Sequence, residues 1–158
     1  MQYIIDGHNL IPQVAGLSLS DLEDEQGLID RLIPFCRLKR AHVTVFFDQA
    51  PPGQSGERLF GAVRAVFVPQ SQTADSAIIA YLQKLGGKAR NYTLVSSDRM
   101  VAAAARQHHT AVLSSQEFAR KLEQALAISP QPTTFGKELS EEEIREWEAL
   151  FNRKNSEE

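Results

Sequence analysis

Between residues 3 and 127 the chain alternates short runs of β-branched and aromatic residues with longer stretches of helical periodicity. Residues 2–5, 43–47, 63–68, 92–96 and 111–113 read as strands. Helical patterns separate most of them, over about 20–38, 73–85 and 99–108, and a last helix follows from about 114 to 127. Strands divided by helices cannot close as two-residue hairpins. They pair in parallel, through right-handed crossovers that lay helices on both faces of one sheet. The predicted fold class is therefore α/β, in three layers.

Local signals place the element ends. Ser20-Asp21-Leu22-Glu23 and Ser114-Ser115-Gln116-Glu117 have the form of capping boxes. In the first helix Leu22, Ile29, Leu32, Ile33 and Leu38 share a face, and Gly27 and Pro34 are expected to bend or split it. Gln49 to Gly56, with two prolines and two glycines, is expected to be a loop, and Gly86-Gly87 stops the third helix. Residues 129–134 read as a linker, and 140–152 as an acidic amphipathic helix carrying Ile144, Trp147, Leu150 and Phe151 on one side. The expected division is a domain over 1–128 and an extension over 129–158. The apolar stripe of the extension suits docking on its own domain or on a partner.

A chain of 158 residues, 42% hydrophobic, can bury one sizeable core. No apolar run approaches the ~18 residues of a membrane span, and the N-terminus lacks the basic region and cleavage site of a signal peptide. The single cysteine, Cys36, lies in an apolar helical stretch and reads as core filler. A cytoplasmic setting without membrane attachment is expected. The net charge of −3 is unevenly spread. Residues 1–30 hold six acids and no Lys or Arg, and residues 137–158 hold eight acids and four bases. The middle, 31–136, has thirteen bases against six acids, three of which are Asp48, Asp75 and Asp98. Apart from those aspartates the middle is basic, which suits a polyanionic partner.

Three aspartates follow strand runs: Asp6 after Tyr3-Ile4-Ile5, Asp48 after residues 43–47, and Asp98 shortly after Tyr92-Thr93-Leu94-Val95. A fourth, Asp75, opens a helix. In an open α/β sheet the carboxyl ends of the strands form the ligand crevice. Carboxylates gathered there suit a hard divalent cation and hydrolysis of a phosphodiester. Each also has a structural reading: Asp75 and Asp98 as helix N-caps, Asp6 and Asp48 as turn residues. One shared site accounts for all four at once. Zinc-ligand spacing and the phosphate-binding glycine motifs are absent from the sequence, so nucleotide cofactors are not indicated.

Asp6-Gly7-His8-Asn9 has the form D-G-x-N. With Val45-Phe46-Phe47-Asp48, Thr73-Ala74-Asp75-Ser76-Ala77-Ile78 and Val95-Ser96-Ser97-Asp98, it resembles the NYN branch of the PIN-like ribonucleases, and within it the YacP-like bacterial proteins. The resemblance covers roughly residues 1–127. It implies a PIN-like, Rossmann-like domain with a central parallel sheet in the order 3-2-1-4-5, and an Mg²⁺- or Mn²⁺-dependent endoribonuclease. It also points to RNA engaged in translation and to the ribosome. Asp6, Asn9, Asp75 and Asp98 are the implied catalytic residues, with Asp6, Asp75 and Asp98 as metal ligands and Asp48 a further candidate. Asp48 is alternatively expected to position Asn9 or a basic residue. Ser97, Arg99, Arg58 and Arg64 are the expected substrate contacts, and His8 is read as structural or solvent-facing. Many PIN-like enzymes also carry a glutamate on a helix near the site; the sequence assigns none here. The alternative function is an inactive RNA- or ribosome-binding module on the same fold.

Overall fold

In the computed structural model, which describes residues 1–17 and 23–128, strand β1 (Gln2–Asp6) lies inside the sheet. It pairs in parallel with β2 (His42–Ala50) on one side and β5 (Tyr92–Val95) on the other. Beyond these, β4 (Val63–Pro69) joins β2 and β6 (Ala111–Leu113) joins β5, again in parallel. The five strands read from the sequence therefore stand in the expected order 3-2-1-4-5. A sixth, β3 (Gly56–Phe60), adds to the β4 edge in antiparallel fashion, giving β3-β4-β2-β1-β5-β6.

The sixth strand corrects the expected loop over 49–56, which is shorter than expected because β2 runs on to Ala50 and β3 begins at Gly56. Gly56-Glu57-Arg58-Leu59 is exposed throughout and carries no alternating pattern to betray it. Its backbone pairing with β4 makes it a strand, through a turn in which Gly61 takes a φ of 64°.

Alternation along the strands sorts side chains into two cores. Ile5, Val45, Phe47 and Ala65 meet Leu32 and Phe35 of α2 (Glu23–Lys39) and Phe118 of α5 (Ser115–Ile128) on one face. Ile4, Phe46 and Leu94 meet Ile78 and Leu82 of α3 (Ala74–Leu85) and Val101 of α4 (Arg99–Gln107) on the other. Both Ile4 and Ile5 have no exposed surface, as a parallel strand covered on both faces requires. Burial of each contributes about 1.5–3 kcal/mol.

The expected bend in the first helix does not divide it: α2 is continuous through Gly27 and Pro34. Gly27 is there for space, since a Cβ would lie 2.8 Å from Leu17 Cδ2. The capping box at α5 forms. Glu117 N–H donates to Ser114 Oγ at 3.1 Å, and the Glu117 carboxylate accepts from that hydroxyl at 3.0 Å and from Ser114 N–H at 3.4 Å. Cys36 is buried and its thiol is pushed up to about 11 by burial, as a core residue. Among the described residues no helix is long and apolar enough to cross a membrane. Residues 20–22 of the first capping box, the linker and the C-terminal helix lie outside the described residues.

Candidate active site at the carboxyl end of the sheet

Asp6 ends β1, level with Phe46 of β2, and the neighbouring strand β5 ends at Val95, three residues before Asp98. The connection from β1 runs outward to β2 and that from β5 runs outward the other way to β6, so the winding reverses between these neighbours, which is where such sheets open a crevice. The chain turns from β1 straight into α1 (Gly7–Leu10), packed on β2. Only glycine allows that. A Cβ on Gly7 would overlap the Phe47 ring and lie 2.9 Å from the Phe46 carbonyl oxygen.

Asp75 enters from α3, in its first turn. It is not the cap. Thr73 holds that place, its hydroxyl accepting from Ser76 N–H at 3.1 Å, so the structural reading of Asp75 as an N-cap fails. Asp98 does cap α4: its Oδ1 accepts from Met100 N–H at 2.9 Å and Val101 N–H at 3.2 Å. Oδ2 stands outside the cap.

The aspartates feel one another. Asp6 is 6% exposed, and its carboxyl is pushed up to about 6, first by burial and next by the charge of Asp75, with a smaller push from Asp48. The Asn9 backbone amide lowers it in part, although its geometry falls short of a capping hydrogen bond. Asp75 is raised by burial and then by Asp98 and Asp48. The cluster is open. Among the described residues no group of three or more His, Cys, Asp or Glu is drawn together tightly enough to hold a metal by itself.

Asp48 lies where the β2–β4 register slips between Phe47 and Ala50, beside Gln49 at a φ of 60°. Such a bulge re-aims side chains. Asp48 Oδ1 meets His8 Nδ1 at 2.6 Å, and His8 Nε2 meets Glu25 Oε2 at 2.6 Å. Glu25 above all, and Asp48 with it, raise the His8 pKa against the lowering effect of burial. Of the two alternatives for Asp48, the structure thus shows it engaged with a basic residue, His8. Glu25, near the start of α2, joins the site through His8, a contact the sequence did not reveal.

Asn9 is a clamp. Its Oδ1 accepts from Ser97 N–H at 2.8 Å and from the Ser115 hydroxyl, tying α1 to the β5–α4 connection and to the start of α5. Ser97 Oγ is spent likewise, donating to Gln116 Oε1 at 3.0 Å and accepting from Ser115 N–H at 3.1 Å. Ser96 Oγ accepts from Asp98 N–H at 3.1 Å. These bonds hold the segment that presents Asp98. Ser97 therefore serves this latch. Ser115 and Gln116 were read only as part of a helix cap, since nothing in the sequence pairs them with residues 9 and 97.

The expected basic contacts separate. Arg99 follows Asp98 at the start of α4 and is exposed. Arg58 lies over the Phe67 ring, 4.8 Å from its centre, and Phe67 stacks on Phe47 beneath His8. Arg64 pairs with Thr44, four residues before Asp48 on β2, so it sits about 13 Å down the strands at ~3.3 Å per residue. It lines a pocket with Gln2, His42, Tyr81 and Tyr92 at the amino end of the sheet. The expectation that Arg64 stands near the cleft to contact substrate is corrected. Register, invisible in the sequence, sets it at the opposite end.

Comparison with known proteins places this geometry in a lineage. No curated protein matches the chain. Among solved structures, the crystal structure of Rae1 (YacP) from Bacillus subtilis is 23% identical, with a TM-score of 0.67 over 80% of this chain and 76% of that one. A tryptophan-to-leucine mutant of the same protein gives 22%, 0.65, 80% and 77%. At such identity the likeness carries the fold. The profile of the YacP-like NYN domain matches residues 3–152, reaching past the resemblance over roughly residues 1–127. With nearly its whole length matched, the chain belongs to the YacP-like NYN domain family.

Proposed function

We propose that the chain is a metal-dependent endoribonuclease that hydrolyses RNA phosphodiester bonds at Asp6, Asp75 and Asp98. Family membership supports a nuclease-like, RNA-related function. The observation that carries the finer reading is the electrostatics of the cluster. Asp6 is forced up to about 6 and Asp75 is raised, each by burial and by a neighbouring carboxylate. Carboxylates gathered at such a cost suit a cation.

The donor set fits Mg²⁺ or Mn²⁺. These ions take oxygen ligands, commonly one or two carboxylates with several waters, so they do not require a closed group of three carboxylates. Asp6, Asp75 and Oδ2 of Asp98 are the oxygens that would hold the ion. A bound ion supplies positive charge for the phosphate and Lewis acidity for hydrolysis. The protein does the positioning. Ser96, Ser97, Asn9 and Ser115 fix the Asp98 segment, and His8 holds Asp48. RNA engaged in translation as the substrate, the ribosome as a partner and a cytoplasmic setting rest on the sequence reading alone.

The open cluster and the capping role of Asp98 favour a second reading, an RNA-binding module without catalysis. Incubating unstructured RNA with Mn²⁺ and wild-type or Asp6→Asn protein separates the two. Cleavage by the wild type, lost in the variant with RNA affinity kept, is the expected result. Equal inertness of both proteins would leave the binding module.

A further inference from the structure

We infer that the groove between α4, β6 and the start of α5 carries the RNA strand beside the cut and grips it by its phosphates; the inference rests on the nuclease reading above. The groove opens directly from the Asp98 segment and has a volume of about 500 Å³. Ser96, Ser97, Asp98 and Ser114 form its head. Along one wall α4 presents Arg99, Ala102 and Arg106. Spacings of three and four residues put these on one helical face, and 1.5 Å per residue sets the arginine Cα atoms roughly 10 Å apart. Ala102, small and 7% exposed, keeps the floor between them low.

The charges facing this groove from every wall are Arg99, Arg106, Asp98 and Glu117. The two carboxylates are committed. Asp98 caps α4, and Glu117 closes the capping box of α5. Each sits at a helix N-terminus, whose positive end offsets its charge. The two arginines are exposed and form no ion pair among the described residues, where the ion pairs are those of His8. Arg99 lies in the first turn of α4, where a cation opposes the helix dipole. Helix stability gives no reason for it there. An anion in the groove does.

The lining also says which part of RNA is held. It contains no aromatic side chain, and its apolar members are Ala102 and Val112. Base stacking needs a platform, whereas arginines suit phosphate oxygens. The groove therefore gives affinity and register with little base preference.

The test measures binding of labelled, unstructured RNA to the full chain in EDTA across a salt series. Arg106→Gln is compared with wild type and with Arg37→Gln, which makes the same charge change in the last turn of α2. Arg106→Gln is expected to weaken binding about 3- to 10-fold at low salt and to reduce the salt slope by about 0.7, equally on uridine-rich and mixed sequences. In cleavage assays KM should rise while kcat holds. Arg37→Gln should match the wild type. Binding by Arg106→Gln equal to wild type, a loss confined to one base composition, or no RNA binding by any protein would overturn the assignment. The parent reading is judged separately. Weakened binding with no cleavage by wild type keeps the groove and removes the nuclease, and cleavage with unchanged Arg106→Gln binding does the reverse.

Discussion

Replacing Asp6 by asparagine should stabilise the metal-free protein, and by an amount the structure sets. The unfolded side chain titrates near 3.8 and the folded one at about 6. At 1.36 kcal/mol per pH unit, ionising Asp6 inside the fold costs at most about 3 kcal/mol. The sign follows from proton linkage. Below about pH 4 both states hold the proton and no cost appears. Between the two values the unfolded chain releases its proton first, so stability falls as pH rises; above about 6 the full cost persists. Asparagine removes the charge but keeps a polar amide to desolvate, so the realised gain at pH 8 should be about 1–3 kcal/mol, fading to nothing near pH 4. Urea unfolding of both proteins in EDTA at about pH 4 and pH 8 measures it. Adding Mn²⁺ to a hundred times its Kd should then raise wild type by about 2.7 kcal/mol and leave the variant unmoved. A variant less stable than wild type at pH 8, or a gain of equal size at pH 4, would refute the account of Asp6.

Gly7→Ala should lose about 1–3 kcal/mol, because its Cβ meets the Phe47 ring and the Phe46 carbonyl. An unchanged thermal midpoint would mean that α1 is not packed tightly on β2. His8→Ala tests the bridge between Glu25 and Asp48. The folded His8 pKa is raised, so its stabilisation is complete below the unfolded value and is lost as pH rises through the folded one. Wild type should lose stability over that rise and His8→Ala should not; parallel profiles in chemical unfolding would sink the bridge.

Strand order was legible in the sequence because it depends on local pattern plus a rule of connection. Val43-Thr44-Val45-Phe46-Phe47 can only be a buried strand, and helices between strands enforce parallel pairing. The edge strand Gly56–Phe60 escaped, since its exposed side chains leave no pattern and its pairing is made by backbone alone. The acidic residues were legible for the same reason as the strands: they sit where local patterns end. Their partners were not. Asn9 bonds to residues 88 and 106 positions away, and His8 joins Asp48 and Glu25, 40 and 17 positions away. Such contacts are decided by register and helix docking. Arg64, expected as a substrate contact, shows the cost of ignoring register, since it lies at the far end of the sheet from the carboxylates.

Charge balance predicts a single divalent ion per chain. Asp48 is already met by His8, which Glu25 also holds. That leaves Asp6 and Asp75, both raised by burial and by a neighbouring carboxylate, and the uncapped oxygen of Asp98. One doubly charged ion relieves the repulsion of Asp75 with Asp6 and with Asp98. A second would need further carboxylates free of partners nearby, and Asp48 is held by His8. Titration calorimetry with Mn²⁺ should therefore give about one ion per chain, and Asp48→Asn should keep that number. Binding must also displace the proton of Asp6. With its carboxyl at about 6, roughly a tenth is ionised at pH 5, so apparent affinity there should be about tenfold weaker than at pH 7.5. Two ions of similar affinity, or loss of binding in Asp48→Asn, would place Asp48 among the ligands and break the division of labour between the His8 bridge and the three remaining aspartates.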